Sequence, residues 1–308
     1  MKRAIRCILF DLGSTLWKRK DEHELQAREK ESNARAVAAM REYVGLDEFP
    51  YMDSAMLGTL IRNAVERQIR AQLRQNPLIE PDFALATMEA LGQLGVPHVQ
   101  WKLGRAVYEA LRIRIPDSRV FFDDTLPTLD ALQARGYMLG VVTNRHYGGN
   151  IFVQDLQKMD LLKYFDPAKL AVSADLGIRK PHPRIYVHAL ERMGVMPEEA
   201  AMVGDSLKAD IAGAKNLHML AIWKPKSSLR SEAKVAVRPA ADTASWQQKA
   251  NEQADTRANL APNHLESEDD YLLDYAARRE NKGIQLPREH LKPDATVERL
   301  SDLLSIFK

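Results

Sequence analysis

The sequence predicts an α/β protein: a doubly wound parallel sheet with an all-helical cap domain inserted after its first strand. Two observations carry that reading. Short apolar runs end on polar residues at Ile8-Leu9-Phe10 before Asp11, Val141-Val142 before Thr143-Asn144, and Ala201-Met202-Val203 before Gly204-Asp205. Runs of this kind, followed by helical patterns, read as buried parallel strands. The second observation is the stretch from Trp17 to Ser118, which keeps helical spacing with few strand signals. It is far longer than a crossover between neighbouring strands requires.

Taken in order, residues 4–10 form the first strand. Glu22 to Tyr43 is rich in Ala, Glu, Lys and Arg and reads as a helix. Ser54 to Gln75 repeats apolar residues at helical spacing, and its stripe Met56-Leu60-Ile61-Val65 is expected to pack inside the cap. Pro81 to Leu94 and Val99 to Ile113 predict two more helices, the first with Pro-Asp in its opening turn. The βα alternation then resumes with a helix from Thr125 to Arg135, stopped by Gly136, and the strand Met138 to Val142. A helix from Ile151 to Met159 and a short strand from Leu170 to Ser173 follow. Next come a helix from Pro183 to Met193 closed by Gly194, the strand Ala200 to Val203, a helix from Ala209 to Asn216 and the strand Met219 to Trp223. Ala295 to Val297 and an amphipathic helix from Glu298 to Phe307 finish the chain.

Between Lys226 and Glu289 the rhythm breaks. Ser231 to Pro262 is nearly free of large aliphatics and reads as partly disordered or loosely helical. Glu268 to Arg279 fits one helix, with Tyr271, Leu272 and Tyr275 on one face. The expected domains are a catalytic core from 1–16 and 119–225 completed by 290–308, a helical cap over 17–118, and an irregular insertion over 226–289.

At 308 residues the chain can bury more than one core. A formal net charge of +2, with no dense Lys/Arg tract, argues against a nucleic-acid partner. No apolar stretch reaches eighteen residues, so no membrane-spanning helix is expected. Met1-Lys2-Arg3 is basic like a signal-peptide start, but the run behind it contains Arg6 and ends at Asp11. A cytoplasmic protein is therefore expected. Cys7 is the sole cysteine, unable to form an internal disulfide, and reads as a small buried hydrophobe.

In open α/β sheets the ligand site lies beyond the carboxyl ends of the strands. Asp11, Thr143, Lys180 and the pair Asp205 and Asp210 should converge there, which is chemistry for an anionic substrate with a metal. The stretch Phe10-Asp11-Leu12-Gly13-Ser14-Thr15-Leu16 resembles the first motif of the haloacid dehalogenase (HAD) superfamily. Thr143-Asn144 resembles its second motif, Lys180-Pro181 its third, and Gly204-Asp205-Ser206-Leu207-Lys208-Ala209-Asp210 its fourth. Any one element is weak; four in order are specific. The resemblance is to the helical-cap, phosphatase-like (C1) subgroup, whose core is Rossmann-like, and it covers 4–16 and 120–223 but none of 226–289.

The resemblance implies a Mg²⁺-dependent hydrolase acting on a small phosphorylated metabolite. A carboxylate can attack phosphorus and form an aspartyl-phosphate that water hydrolyses, a role for Asp11. Mg²⁺ favours hard oxygen ligands, here Asp11, Asp205, the Gly13 carbonyl and Asp210, the last directly or through water. Thr143 and the backbone around Asn144 would hold the transferring oxygens, and Lys180 would neutralise charge shared by Asp11 and the phosphoryl group. Ser206 would contact metal or phosphate. Plainer roles exist for each: a strand-end turn for Asp11, a helix cap for Thr143, a solvated loop for Lys180, a helix start for Asp210. Arg145 and His146 directly follow the second motif, where the choice is between facing the cap and the surface, and the surface is expected; His182 and His188 are expected as structural or solvent-facing residues.

One position departs from the pattern. Active phosphatases of the family usually carry a second aspartate, as general acid and base, where this chain has Gly13. General acid catalysis is typically worth roughly 10²–10⁴-fold. Three expectations follow: a substrate with a good leaving group such as an acyl or anomeric sugar phosphate, a proton from the cap or water, or weak catalysis with phosphate-ester binding as the real role. The alternatives are thus a metal-independent 2-haloacid dehalogenase, with Asp11 attacking carbon, and a binding or regulatory protein using 226–289 as its partner surface.

Overall fold

Six strands form one parallel sheet in the computed structural model, which describes residues 4–44, 53–229, 232, 268–280 and 286–308. The strands of this sheet are β1 (Cys7–Phe10), β4 (Met138–Thr143), β5 (Ala171–Val172), β6 (Ala200–Gly204), β7 (Leu220–Trp223) and β8 (Ala295–Thr296), in the order β5-β4-β1-β6-β7-β8. Every pairing is parallel. β1 is buried on both faces. Ile8 and Phe10 join one apolar cluster and Cys7 and Leu9 the other, as the two-residue period of a strand requires.

Register brings the site together. Phe10 stands opposite Val141 on one side and Val203 on the other. The next residues along, Asp11, then Thr143 and Asp205, therefore emerge at one edge of the sheet.

Among the described residues, four helices of more than ten residues lie between two short strands, β2 (Trp17–Arg19) and β3 (Arg119–Phe121), which pair antiparallel. These are α1 (Glu22–Val44), α2 (Ser54–Gln75), α3 (Phe83–Gln93) and α4 (Trp101–Leu111), and they pack around their own core of Val37, Met40, Ile61, Val65, Leu91 and Val107. The sequence carries no signal for β2 and β3. The apolar stripe on α2 is also displaced from its expected place. Leu57, Ile61 and Val65 are buried, whereas Met56 and Leu60 are 60% and 38% exposed. One position is a turn of about 100° on a helix, enough to move both off the buried face.

A one-turn helix α5 (Ile115–Ser118) precedes β3, and α6 (Thr125–Ala134), α7 (Gly149–Lys158), α8 (Ser173–Leu176) and α9 (Pro183–Met193) flank the sheet. Gly194 ends α9 in the left-handed conformation (φ 66°) that glycine accepts without strain. The single helix expected over Ala209 to Asn216 is a π-helical turn, Leu207–Ile211, running into α10 (Ala212–Lys215). Near the end of the chain α11 (Glu268–Glu280) lays Leu272 and Ala276 against the sheet cluster, with Tyr275 half-buried. The side chain of Tyr271 and most of the 226–289 excursion lie outside the described residues. The terminal amphipathic segment is a 3₁₀ turn, Leu300–Asp302, followed by α12 (Leu303–Ile306). No helix among the described residues is long and apolar enough to cross a membrane.

Candidate active site

Lys180, in the loop between α8 and α9, is 4% exposed and points back beneath the strand ends. Its ammonium donates to Asp11 Oδ1 at 2.7 Å, to Asp210 Oδ1 at 2.6 Å and to the Val142 carbonyl at 2.8 Å. All three of its protons thus have acceptors. Burial alone would depress its pKa, but Asp11 and Asp210 outweigh burial and hold it above the ordinary lysine value. Asn144 fixes the backbone of this loop. Its side-chain oxygen accepts from the Lys180 N–H at 2.8 Å, and its amide donates to the Lys180 carbonyl at 3.2 Å. The Thr143 hydroxyl lies 3.4 Å from Asp11 Oδ1.

On the β6 side, Asp11, Asp205 and Asp210 each present an oxygen within 4.8 Å of the other two. Asp210 is 1% exposed and rests against Gly204, where a Cβ would overlap its carboxyl group. The Ser206 N–H donates to Asp210 Oδ2 at 3.0 Å. Burial, reinforced by Asp11, pushes Asp205 up to about 6. Burial also raises Asp210, against the pull of Lys180. Lys226 stands 3.1 Å from Asp205 Oδ2. Three clustered carboxylates, all hard oxygen donors sharing the two ammonium groups of Lys180 and Lys226, fit a divalent cation of the Mg²⁺, Mn²⁺ or Ca²⁺ type.

Above this floor opens a cavity of about 740 Å³, bounded below by Asp11, Gly13, Thr143, Asn144 and Asp205 and above by α2 and α4 of the cap. That size suits a small ligand. At Gly13 an added Cβ would meet nothing nearer than Asp11 Oδ2 at 4.0 Å, so the glycine leaves open space beside the carboxylate.

Of the residues singled out in sequence, Asp11, Gly13, Thr143, Asn144 and Asp205 line the cavity, with Lys180 and Asp210 directly beneath. Ser206 stands apart. Its hydroxyl donates to Glu280 Oε2 at 2.7 Å and accepts from the Ala209 N–H at 3.0 Å, capping the turn outside the cavity. Arg145 and His146 both line the cavity wall under the cap: Arg145 is half-buried there, against the surface expectation, whereas His146 stays exposed as expected. The His146 ring stacks on Phe83 of the cap at 4.9 Å. His182 caps α9 by accepting from the Arg184 N–H at 3.2 Å.

Sequence reasoning missed two contributors. Lys226 follows β7 by three residues and could have been read from its place at the same sheet edge. Glu280, which also accepts from the Lys208 N–H at 3.1 Å, carries no sequence signal.

Residues 5–218 match the family model for haloacid dehalogenase-like hydrolase. A glyceraldehyde 3-phosphate phosphatase of Methanopyrus kandleri is 28% identical over 194 residues, 58% of this chain and 80% of that protein. One from Pyrococcus furiosus is 41% identical over 98 residues, 31% of this chain and 38% of the relative. A phosphoglycolate phosphatase of Shigella boydii is 35% identical over 118 residues, 38% and 44% of the two chains. The chain thus spans less than half the length of the Pyrococcus and Shigella relatives. Among solved structures, the orthorhombic form of YfnB from Bacillus subtilis bound to magnesium shares the fold, with a TM-score of 0.50 at 16% identity over 99% of this chain and 100% of that one.

Proposed function

The chain belongs to the haloacid dehalogenase-like hydrolase family, and from that premise we propose that it hydrolyses a small phosphate monoester with Mg²⁺, carrying the phosphoryl group on Asp11. The observation that carries this reading is the shared ammonium of Lys180, 2.7 Å from Asp11 and 2.6 Å from Asp210 at the floor of the cavity.

Asp11 Oδ1 is held by Lys180 and Thr143, which leaves Oδ2 to attack phosphorus. The new Asp11 O–P bond forms as the ester P–O bond breaks, and the ester oxygen departs with the electron pair and takes a proton from water. Water then attacks the phosphorus, restoring the Asp11 carboxylate and releasing inorganic phosphate. Lys180 pairs with Asp11 and offsets the charge that gathers on the phosphoryl oxygens. The Thr143 hydroxyl and the Asn144 backbone hold those oxygens in line. Asp11, Asp205, Asp210 and the Gly13 carbonyl would hold the metal. When bound, it would supply the positive charge that lets a phosphate dianion approach a carboxylate. Gly13 offers no proton to the leaving group, so donors with stabilised leaving groups are the preferred substrates. The cap would exclude water and read the rest of the substrate.

The test is phosphate release from p-nitrophenyl phosphate, acetyl phosphate and a sugar-phosphate panel, with Mg²⁺, with EDTA, and with Asp11→Asn. Metal-dependent release that disappears in Asp11→Asn is the expected result. Chelator-insensitive halide release from 2-haloacids would replace this reading with dehalogenation. Tight binding of metal and a phosphate analogue without turnover of any donor would replace it with a binding role.

A further inference from the structure

We propose that the cap-facing wall of the cavity binds a second acidic group of the substrate, a carboxylate or a further phosphoryl group, through Arg112 and Arg145. The inference rests on reading the same cavity as a phosphate-ester site and names what lies at the other end of the ester.

Arg112 follows α4 in the cap and Arg145 follows Asn144 in the core, so guanidinium groups from opposite domains stack on one ring. Their central carbons stand 4.7 and 5.0 Å from the Tyr147 centroid. Arg112 also lies 5.8 Å from Tyr108, and Arg145 5.7 Å from Phe152. Stacking holds a guanidinium by its face and leaves its N–H edge free to donate. In both residues the Nε is buried and has no hydrogen-bond partner. Such donors are costly to leave unpaired and are normally satisfied.

No nearby acid supplies the missing partner. Among the described residues, Glu66 pairs with Arg70 at 2.7 Å, Asp155 with Arg114 at 2.6 Å and Glu80 with Arg179 at 2.6 Å, and no carboxylate reaches Arg112 or Arg145. Arg119 lines the same cavity, and burial followed by the charges of Arg145 and Arg19 pulls its guanidinium down to about 10. Like charges are thus held together without neutralisation, facing open volume. An oxyanion that accepts from the Arg fork would satisfy the orphan donors and the excess charge at once.

The experiment compares 3-phosphonopropionate with propylphosphonate, which differ only in a carboxylate, by calorimetric titration of the full chain in Mg²⁺. Ethane-1,2-bisphosphonate forms a third arm, and its affinity relative to 3-phosphonopropionate identifies the preferred acidic group. At least tenfold tighter binding of a two-headed probe is expected, with that ratio falling about tenfold in Arg112→Gln and in Arg145→Gln, each checked for folding by thermal melt. Equal affinities for all three probes in the unmodified protein overturn the proposal, whatever the variants do. So does a preference that survives both substitutions. Binding is read here without turnover, so a protein that hydrolyses esters yet ignores the second acidic group loses only this subsite. One that prefers the two-headed probe yet releases no phosphate loses only the hydrolytic reading.

Discussion

Glu80 in the cap holds Arg179 in the core with both carboxylate oxygens, at 2.6 and 2.8 Å, and Arg179 is the residue before Lys180. Backbone bonds reinforce the pair, from the Glu80 N–H to the Gly177 carbonyl at 3.0 Å and from the Arg179 N–H to the Leu78 carbonyl at 2.9 Å. The cap is therefore fastened to the loop that presents Lys180. The side chain of Glu80 is 4% exposed and that of Arg179 14%. Glu80→Gln leaves a guanidinium unpaired in this buried setting and should cost about 3 kcal/mol, the low end for a broken buried pair. Urea unfolding of wild type and variant at one pH measures it, and a difference below about 1 kcal/mol would mean the fastening is weak.

Lys180→Gln removes the charge shared by Asp11 and Asp210. Phosphate release should fall about 10²–10³-fold, the range seen when one stabilising donor is lost. Asn144→Ala keeps the lysine but deletes both side-chain bonds to its backbone, so a smaller fall in kcat, about tenfold, is expected by analogy with other displaced groups. Steady-state kinetics on one donor separates the two, and equal losses would mean Asn144 acts on the substrate itself.

Metal should stabilise the folded chain. Added at one hundred times its Kd, Mg²⁺ is worth about 2.7 kcal/mol by mass action, seen as a rise in Tm that EDTA reverses. Asp210→Asn and Asp205→Asn should each abolish most of that rise. A Tm that rises equally in both variants would place the ion elsewhere.

The space beside Gly13 makes the missing acid a testable gain. Gly13→Asp fits without a clash at Cβ. It should raise kcat on simple alkyl phosphates by about 10²-fold, within the range of general acid catalysis, and change acetyl phosphate turnover little. Rates on the two donors, measured side by side, decide whether proton supply is what limits this enzyme on poor leaving groups.

The sheet was legible because its strands are apolar on both faces. Ile8-Leu9-Phe10 and Val141-Val142 admit no other burial, and each run delivers its polar successor to the same edge. α2 was legible in its bounds, since Ser54 and Gln75 bracket an unbroken helical period, but Met56 and Leu60 show that periodicity fixes a face only to within about one position. β2 and β3 were not legible, because three residues with mixed burial leave no alternation to read. Arg145 and His146 look like surface residues from their own neighbours. Only the cap, contributed by residues far away in the chain, half-buries Arg145, while His146 stays exposed. Ser206 followed the motif in sequence, yet Glu280 from α11 claims its hydroxyl, a partner seventy-four positions away.

Beyond Lys226, Leu229 still packs against the core, as does α11, whose Arg279 forms an ion pair with Glu232. Two positions far apart in the chain, Glu232 and Arg279, are thus pinned together. Closure entropy grows only with the logarithm of length, about 0.6 kcal/mol for each doubling. Changing the number of residues between Glu232 and Arg279 should therefore cost the core little, provided the Glu232–Arg279 and Ser206–Glu280 contacts remain. This makes that point of the chain a natural place for the protein to acquire or lose a module without disturbing Asp205.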